Sequence, residues 1–369
     1  MPVFNFNNKI SNLGSTIGAS DDSFGFSSPT SNQLSYVSAS QALQNSDIYS
    51  IIFQLSGALA SGEITANNQR AQNILDNPSA TASTHAFWQS MFAQLLIGGE
   101  SFAYRFRNAN GTDSRLEYLR PSQVSTYLLS DGSGLIYNAN FDEPDIGTIE
   151  AIPQSDMIHF RLLSKNGGMT GVSPLSALSS ELNIKNSSNK LTLKALAQAV
   201  TSSGILKVKN SGLLNSKEKQ ARSRKATQEL RNGVLVLDDL EDYQPLEMRS
   251  NIANLLDQAN WTGSQIAKVY GIPDSMINGK GDQQSSIQME NISIIKSLAN
   301  YVNPIVSELK NKLNTDVHMD VRKAVDPLGD QYASTLSGMT KDGTLTANQT
   351  VSELQHRGFL PDDLPAQQK

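Results

Sequence analysis

The chain has 369 residues, a formal net charge of −5 and no cysteine, with 38% hydrophobic and 18% charged residues. The lack of cysteine removes disulfide frameworks, thiolate nucleophiles and cysteine metal sites, and fits assembly inside a cell. A moderately acidic balance argues against a protein coated in nucleic acid, and a length beyond the roughly 250–300 residues of a single core predicts two or three packed units.

Residues 1–44, rich in Ser, Asn and Gly with scattered Phe, bury too little apolar surface to offset chain entropy, which predicts a loose arm. Asn45-Ser46-Asp47 supplies N-cap residue types ahead of IYSIIFQLSGALA, whose apolar residues recur at helical spacing. After the Asn77-Pro78 break, Ser83 or Thr84 can cap a second helix carrying Phe87, Trp88, Met91, Phe92, Leu95 and Leu96, which Gly98-Gly99 ends. SFAYRFR, RLEYLRP, VSTYLLS, LIYNANF and DMIHFRLL then read as short strands, divided by turns at Asn108–Gly111 and Asp131-Gly132. The fold class is therefore α+β, with His159 a core or interface residue of the last strand.

Gly167, Gly168 and Gly171 precede Ser173-Pro174-Leu175, an N-cap type followed by proline at the first helical position, so a helix begins there. A phosphate-cradling loop is disfavoured because no Lys-Ser/Thr pair follows the glycines. The helix runs to about Thr201 on a thin apolar stripe, which predicts partial burial. A strand, ILKVK, comes next; Asn215 and Glu218 have capping-box spacing before a basic helix that Gly233 ends, and VLVL follows as a buried strand.

Charge changes sign abruptly here. Lys207, Lys209, Lys217, Lys219, Arg222, Arg224, Lys225 and Arg231 face only Glu218 and Glu229, whereas Asp238, Asp239, Glu241, Asp242 and Glu247 arrive with no basic residue between them. The basic helix is either a solvated face or a surface for a phosphate backbone or acidic partner. The acidic run is either a solvated turn or the carboxylates of a metal-dependent nuclease, although consecutive residues of one turn rarely converge on shared ions.

From Ile252, apolar residues through Ile266 and Tyr270 share one helical face until Gly271-Ile272-Pro273 stops it. Met276–Ser286 is polar and glycine-bearing, an exposed mobile loop. A long helix then starts at Ile287, with a kink or break expected near Asn303 because Pro304 removes a helix hydrogen bond. Beyond Leu313, short helices are expected around Gln331–Met339 and Thr346–Arg357, and the end from Pro361 should fray.

The four histidines, His85, His159, His318 and His356, show no ligand-pair spacing, and no nucleophile elbow, H-E-x-x-H helix or Walker loop occurs. No enzyme activity, cofactor or metal is expected. No apolar run approaches the roughly 20 residues of a bilayer span, and the start MPVFNFNNK lacks a signal-peptide pattern, so a soluble, unexported protein is expected.

Taken in order, FWQSMFAQLLIGGESFAYRFR, Leu116–Pro121, DMIHFRLL, Gly171-Val172-Ser173-Pro174-Leu175, SSGILKV, IAKVYGIPDSMI and VNPIVSELKNKL resemble the portal proteins of tailed bacteriophages, in particular the HK97-type family. The resemblance covers about Asn45 to Leu313. It implies a dodecameric ring at one capsid vertex, a conduit without catalysis through which a terminase motor pumps double-stranded DNA and from which DNA later leaves.

On that pattern residues 1–44 are an arm, 45–173 a wing, 174–203 a stem helix, 204–248 the clip, 249–271 a second stem helix, 272–286 the tunnel loop, 287–313 a kinked long helix and 314–369 the crown. Asn278, Gly279, Lys280, Gly281, Asp282, Gln283 and Gln284 would face the channel, nearly balanced in charge so that DNA slides without being gripped. Lys217, Lys219, Arg222, Arg224 and Lys225 of the clip would meet an acidic surface of the motor or connector. The implied partners are other copies of the chain, DNA without sequence specificity, the terminase large subunit, major capsid and scaffold proteins, and a head-tail connector or adaptor, with no membrane. The implied location is the virion vertex, after assembly in the bacterial cytoplasm. The rival readings are a ring-forming capsid scaffold or adaptor that passes no DNA, and the nuclease.

Overall fold

The computed structural model describes residues 11–12, 42–129, 131–143, 145–200, 204–208, 215–231, 237, 241–245, 261–273, 287–326, 329–356 and 358–361. The chain divides into two compact units, 1–179 with 266–369, and 180–265.

In the first unit the helix predicted from Asn45 forms as α1 (Ser46–Ala60), with the Asn45 side chain accepting the Asp47 N–H and Ile48, Ile51, Ile52, Leu55 and Leu59 buried. The segment that follows was not legible as structure, yet β2 (Glu63–Ala66) and α2 (Gln69–Asp76) lie there. A polar strand such as β2 owes its form to a remote partner, in line with the dependence of strand formation on context. Helix α3 (Thr84–Gly98) is capped by Ser83 and closed by Gly99 in the left-handed region at φ 75°. It packs on α1 and buries Trp88, whose Nε1 donates to the Leu75 carbonyl at 3.1 Å.

Two antiparallel sheets follow. One has the order β4-β3-β8, from β3 (Glu100–Arg107), β4 (Asp113–Leu119) and β8 (Met157–Arg161). The other runs β1-β5-β6-β7, from β1 (Ser11–Asn12), β5 (Val124–Leu128), β6 (Leu135–Asn140) and β7 (Thr148–Pro153). Phe102, Leu119, Tyr137, Phe141, Ile152 and Met157 from both sheets share one apolar cluster. Strand β7 is not expected from sequence; in it Ala151 adopts φ 56° beside a register shift in β6 and donates its N–H to Asn138 Oδ1 at 2.9 Å. Strand β1 pairs with Tyr127 and Leu128, so two residues of the expected loose arm are tied by backbone ladder.

The motif at Ser173-Pro174-Leu175 starts a helix, but its first turn is a 3₁₀ turn, Pro174–Leu178, before α4 (Ser179–Val200). Ser173 is bound at both ends: its Oγ donates to the Ile97 carbonyl at 2.6 Å and accepts the Leu175 N–H at 3.2 Å. Two glycines allow the approach. A Cβ at Gly171 would lie 2.2 Å from the Gly99 carbonyl oxygen, and one at Gly99 would lie 2.2 Å from that of Val172.

In the second unit, β9 (Gly204–Val208) and β10 (Glu241–Pro245) pair antiparallel, with α5 (Ser216–Arg231) between them in sequence. Part of the acidic stretch is thus strand rather than turn. Asp242 lies opposite Lys207, an opposite-charge cross-strand pair that lets a carboxylate sit in a ladder. Gly233 and the first three residues of VLVL fall outside the described residues.

Helix α6 (261–270) ends as expected, with Gly271 at φ 67° and the Ile272 N–H on the Ala267 carbonyl. Helix α7 (Ile287–Leu313) continues through Pro304, so the expected interruption does not take the form of a break. Buried Leu298 and Tyr301 precede the proline and buried Ile305 and Leu309 follow it, so packing holds both sides in one helix. Strand β11 (Val317–Asp320) pairs with β2, followed by α8 (Arg322–Val325), α9 (Asp330–Lys341) and α10 (Ala347–His356). The last two are the short helices expected from sequence.

Candidate functional site

The basic helix α5 forms as its capping residues predict: the Asn215 N–H donates to Glu218 Oε2 at 2.9 Å and the Lys219 N–H to the Asn215 carbonyl at 3.0 Å. Residues 215–225 are all exposed. The five expected docking cations do not form one set. Arg222 pairs with Glu241 of β10, and Lys225 with Glu229 one turn along at 3.8 Å. Lys217, Lys219 and Arg224 are exposed and form no ion pair with another described residue. Lys217 and Arg224, seven residues apart, share a helix face roughly opposite Arg222 at about 100° per residue.

Asn278–Gln284 lies outside the described residues, as do Asp238 and Asp239. Among the described residues no group of three or more His, Asp or Glu is placed to hold a metal ion, and no helix is long and apolar enough to cross a membrane. The glycine-bearing loop before Ser173 is filled from within. Arg161 donates to the Gly168 carbonyl, Asn166 to Thr170 Oγ1 at 2.9 Å, and the Gly171 N–H to Glu100 Oε2 at 3.0 Å.

A largely buried polar network, not expected from sequence, joins the β4-β3-β8 sheet to α7. His159 is fully buried, with Nδ1 3.2 Å from Tyr137 Oη and Nε2 3.2 Å from Glu100 Oε2; burial holds its pKa below the ordinary histidine value. Glu308 of α7 accepts the His159 N–H at 3.1 Å and Arg161 Nη2 at 3.1 Å, and faces Lys312 Nζ at 3.4 Å. Arg105 forks onto Asp113 at 2.6 and 3.1 Å while Nη1 donates to the Ser155 and Lys312 carbonyls at 2.8 and 2.6 Å. Burial lowers the Lys312 pKa, with Glu308 opposing that shift. A signal existed: Glu308 and Lys312 interrupt the apolar stripe of Leu298, Tyr301, Ile305 and Leu309 at stripe positions.

Residues 46–350 match the family profile described as "Phage portal protein". The chain belongs to the phage portal protein family. It is a portal protein, a head-tail connector component, and its family is structural rather than enzymatic. No curated protein matches this portal protein in sequence. Its fold is shared with a chain of the virion of a native gene transfer agent particle (TM-score 0.61, 16% identity, 88% of this chain and 93% of that one). A chain from the neck of a native gene transfer agent particle computed with C12 symmetry gives 0.60 and 15%, over 88% and 92%. An HK97 family phage portal protein from Corynebacterium diphtheriae gives 0.54 and 14%, over 78% and 96%. At these identities the likeness is one of fold.

Proposed function

We propose that this portal protein closes into a homo-oligomeric ring at one vertex of a virion, twelve-fold as in the gene transfer agent neck computed with C12 symmetry. Double-stranded DNA passes through its axial channel during packaging and ejection. The observation that carries this reading is the family match over residues 46–350. Asn278–Gln284 forms the tunnel loop, near neutral so that DNA slides past it. Residues 45–173 form the wing, 174–203 and 249–271 the stem, 204–248 the clip and 314–369 the crown.

The clip docks first the terminase large subunit and later a connector. The division of charge on α5 supports Lys217, Lys219 and Arg224 as the docking set, with Arg222 holding the clip together through Glu241. Capsid and scaffold proteins surround the ring, which assembles in the host cytoplasm and acts as a conduit without catalysis. The test is electron microscopy and native mass measurement of the intact chain. A ring with an axial channel wide enough for duplex DNA is the expected result; a compact monomer that cleaves DNA with magnesium would overturn it. Replacing Asn278–Gln284 by a Gly-Ser linker separates a portal from a ring that passes no DNA, because packaging fails only where that loop faces DNA.

A further inference from the structure

Helix α7 is anchored along one part of its length. Among its described side chains the buried ones begin at Ser297 and continue through Leu298, Tyr301, Ile305, Glu308, Leu309 and Lys312, whereas none of residues 292–296 is buried and Ile292 is 64% exposed. Within the anchored part the apolar contacts are non-directional and would tolerate a displaced helix. The charged contacts would not. Glu308 uses both carboxylate oxygens on β8, one for the His159 main-chain N–H and the other for Arg161, while Arg105 of β3 reaches the Lys312 carbonyl one turn further on.

In the network three cations, Arg105, Arg161 and Lys312, face three carboxylates, Glu100, Asp113 and Glu308, with Arg107 adding a longer contact to Asp113 at 3.6 Å; Arg105, Lys312 and Glu308 are buried. Apolar side chains of similar volume would often hold a helix as firmly as buried ion pairs do, so stability alone is a poor reason for such a network. What it adds is position. A slide of one helical turn, about 5.4 Å, would part Glu308 from Arg161 and from the His159 N–H, leaving the buried carboxylate only Lys312 of its own helix, and a buried charge tolerates such a loss of partners poorly.

We propose that Glu308 is the positioning residue that sets the register of α7 on the β3–β8 sheet, with Arg161 and the His159 N–H as its partners and the bond from Arg105 to the Lys312 carbonyl as a second tie. Residues 292–296 of α7, none of them buried, are thereby carried at a fixed height and azimuth relative to the sheet. A force applied to them reaches the sheet through these directional contacts. The inference rests on the geometry of this unit and not on the portal reading.

The absence of cysteine makes the test direct. Spin labels placed by I292C and L163C, both at exposed positions, report the distance between the exposed segment of α7 and the sheet side. Labelled chains are diluted with unlabelled protein so that only distances within one chain are read. The native charge set is expected to give one narrow distance. E308Q should broaden it or move it by about one helical turn, 5 Å, while E308D, which keeps the charge, should stay close to native.

A lowered melting temperature with an unchanged distance distribution would show a merely structural role and overturn the proposal. So would native distances in E308Q at native stability. If E308Q does not fold, R161Q is read by the same distances and the same criterion.

Discussion

His159 shows how one buried side chain sets a dependence on pH. Burial, the largest influence, lowers its pKa in the folded protein, so below the ordinary value of about 6.5 the unfolded chain binds a proton that the folded one refuses. Its contribution is therefore fully present above about pH 6.5 and is lost as pH falls from there toward the lowered folded value. Urea denaturation between pH 5 and 8 should show that loss in the native chain and a flatter profile in His159→Gln, which stays neutral; equal slopes would remove His159 as the cause. Gly99 gives a steric counterpart. At φ 75° and against the Val172 carbonyl, Gly99→Ala combines left-handed strain of about 1–2 kcal/mol with a backbone clash. Gly132→Ala, at φ 70° with nothing within 4 Å, carries the strain alone and should cost measurably less in the same urea titration.

Helices were largely legible as elements, because capping residues and apolar spacing act locally: Asn45, Ser83 and the Asn215/Glu218 pair each stand where a helix starts. Strands β2, β7 and β11 were not, since their residues form ladders only once a distant partner arrives. Pro304 marks the limit of the local rule, because tertiary packing keeps α7 in one piece around a residue that costs roughly 3 kcal/mol in a helix interior. Pro304→Ala should therefore raise the unfolding midpoint, by an amount worth about 1–3 kcal/mol; a fall would show that the proline ring's packing outweighs the lost hydrogen bond. In α5 the same distinction separates two arginines. Arg222→Glu sets two carboxylates together at Glu241 and should speed hydrogen exchange in α5 and β10. Arg224→Glu should leave exchange unchanged while weakening terminase docking, and docking at native strength would remove Arg224 from the surface.

At the scale of the whole molecule the apolar residues left outside matter most. Ile184 and Leu191 of α4, seven residues apart and hence on one face, are 43% and 54% exposed. Burial of such a stripe against a neighbouring copy is what a homo-oligomeric ring offers. Replacing both by Asp should leave the circular dichroism spectrum of the subunit native while native mass measurement shows rings giving way to smaller species. Rings that persist at full size would place the subunit contact elsewhere.

The sequence alone determined most of the longer helices' starts, the strands whose apolar residues alternate, the divided charge of 207–247 and the resemblance to portal proteins. These are properties of neighbours along the chain, set by backbone hydrogen bonding and side-chain period. Only the tertiary structure decided that Gly171-Val172-Ser173-Pro174-Leu175 closes on Gly99 and Ile97. It also decided that Arg222 is held by Glu241 while Arg224 faces solvent, and that Glu308 binds a strand 147 positions away. The physical reason is common to all three. Whether a polar or small residue is solvated, paired or pressed against backbone depends on what lies opposite it in space, and no spacing along the chain carries that information.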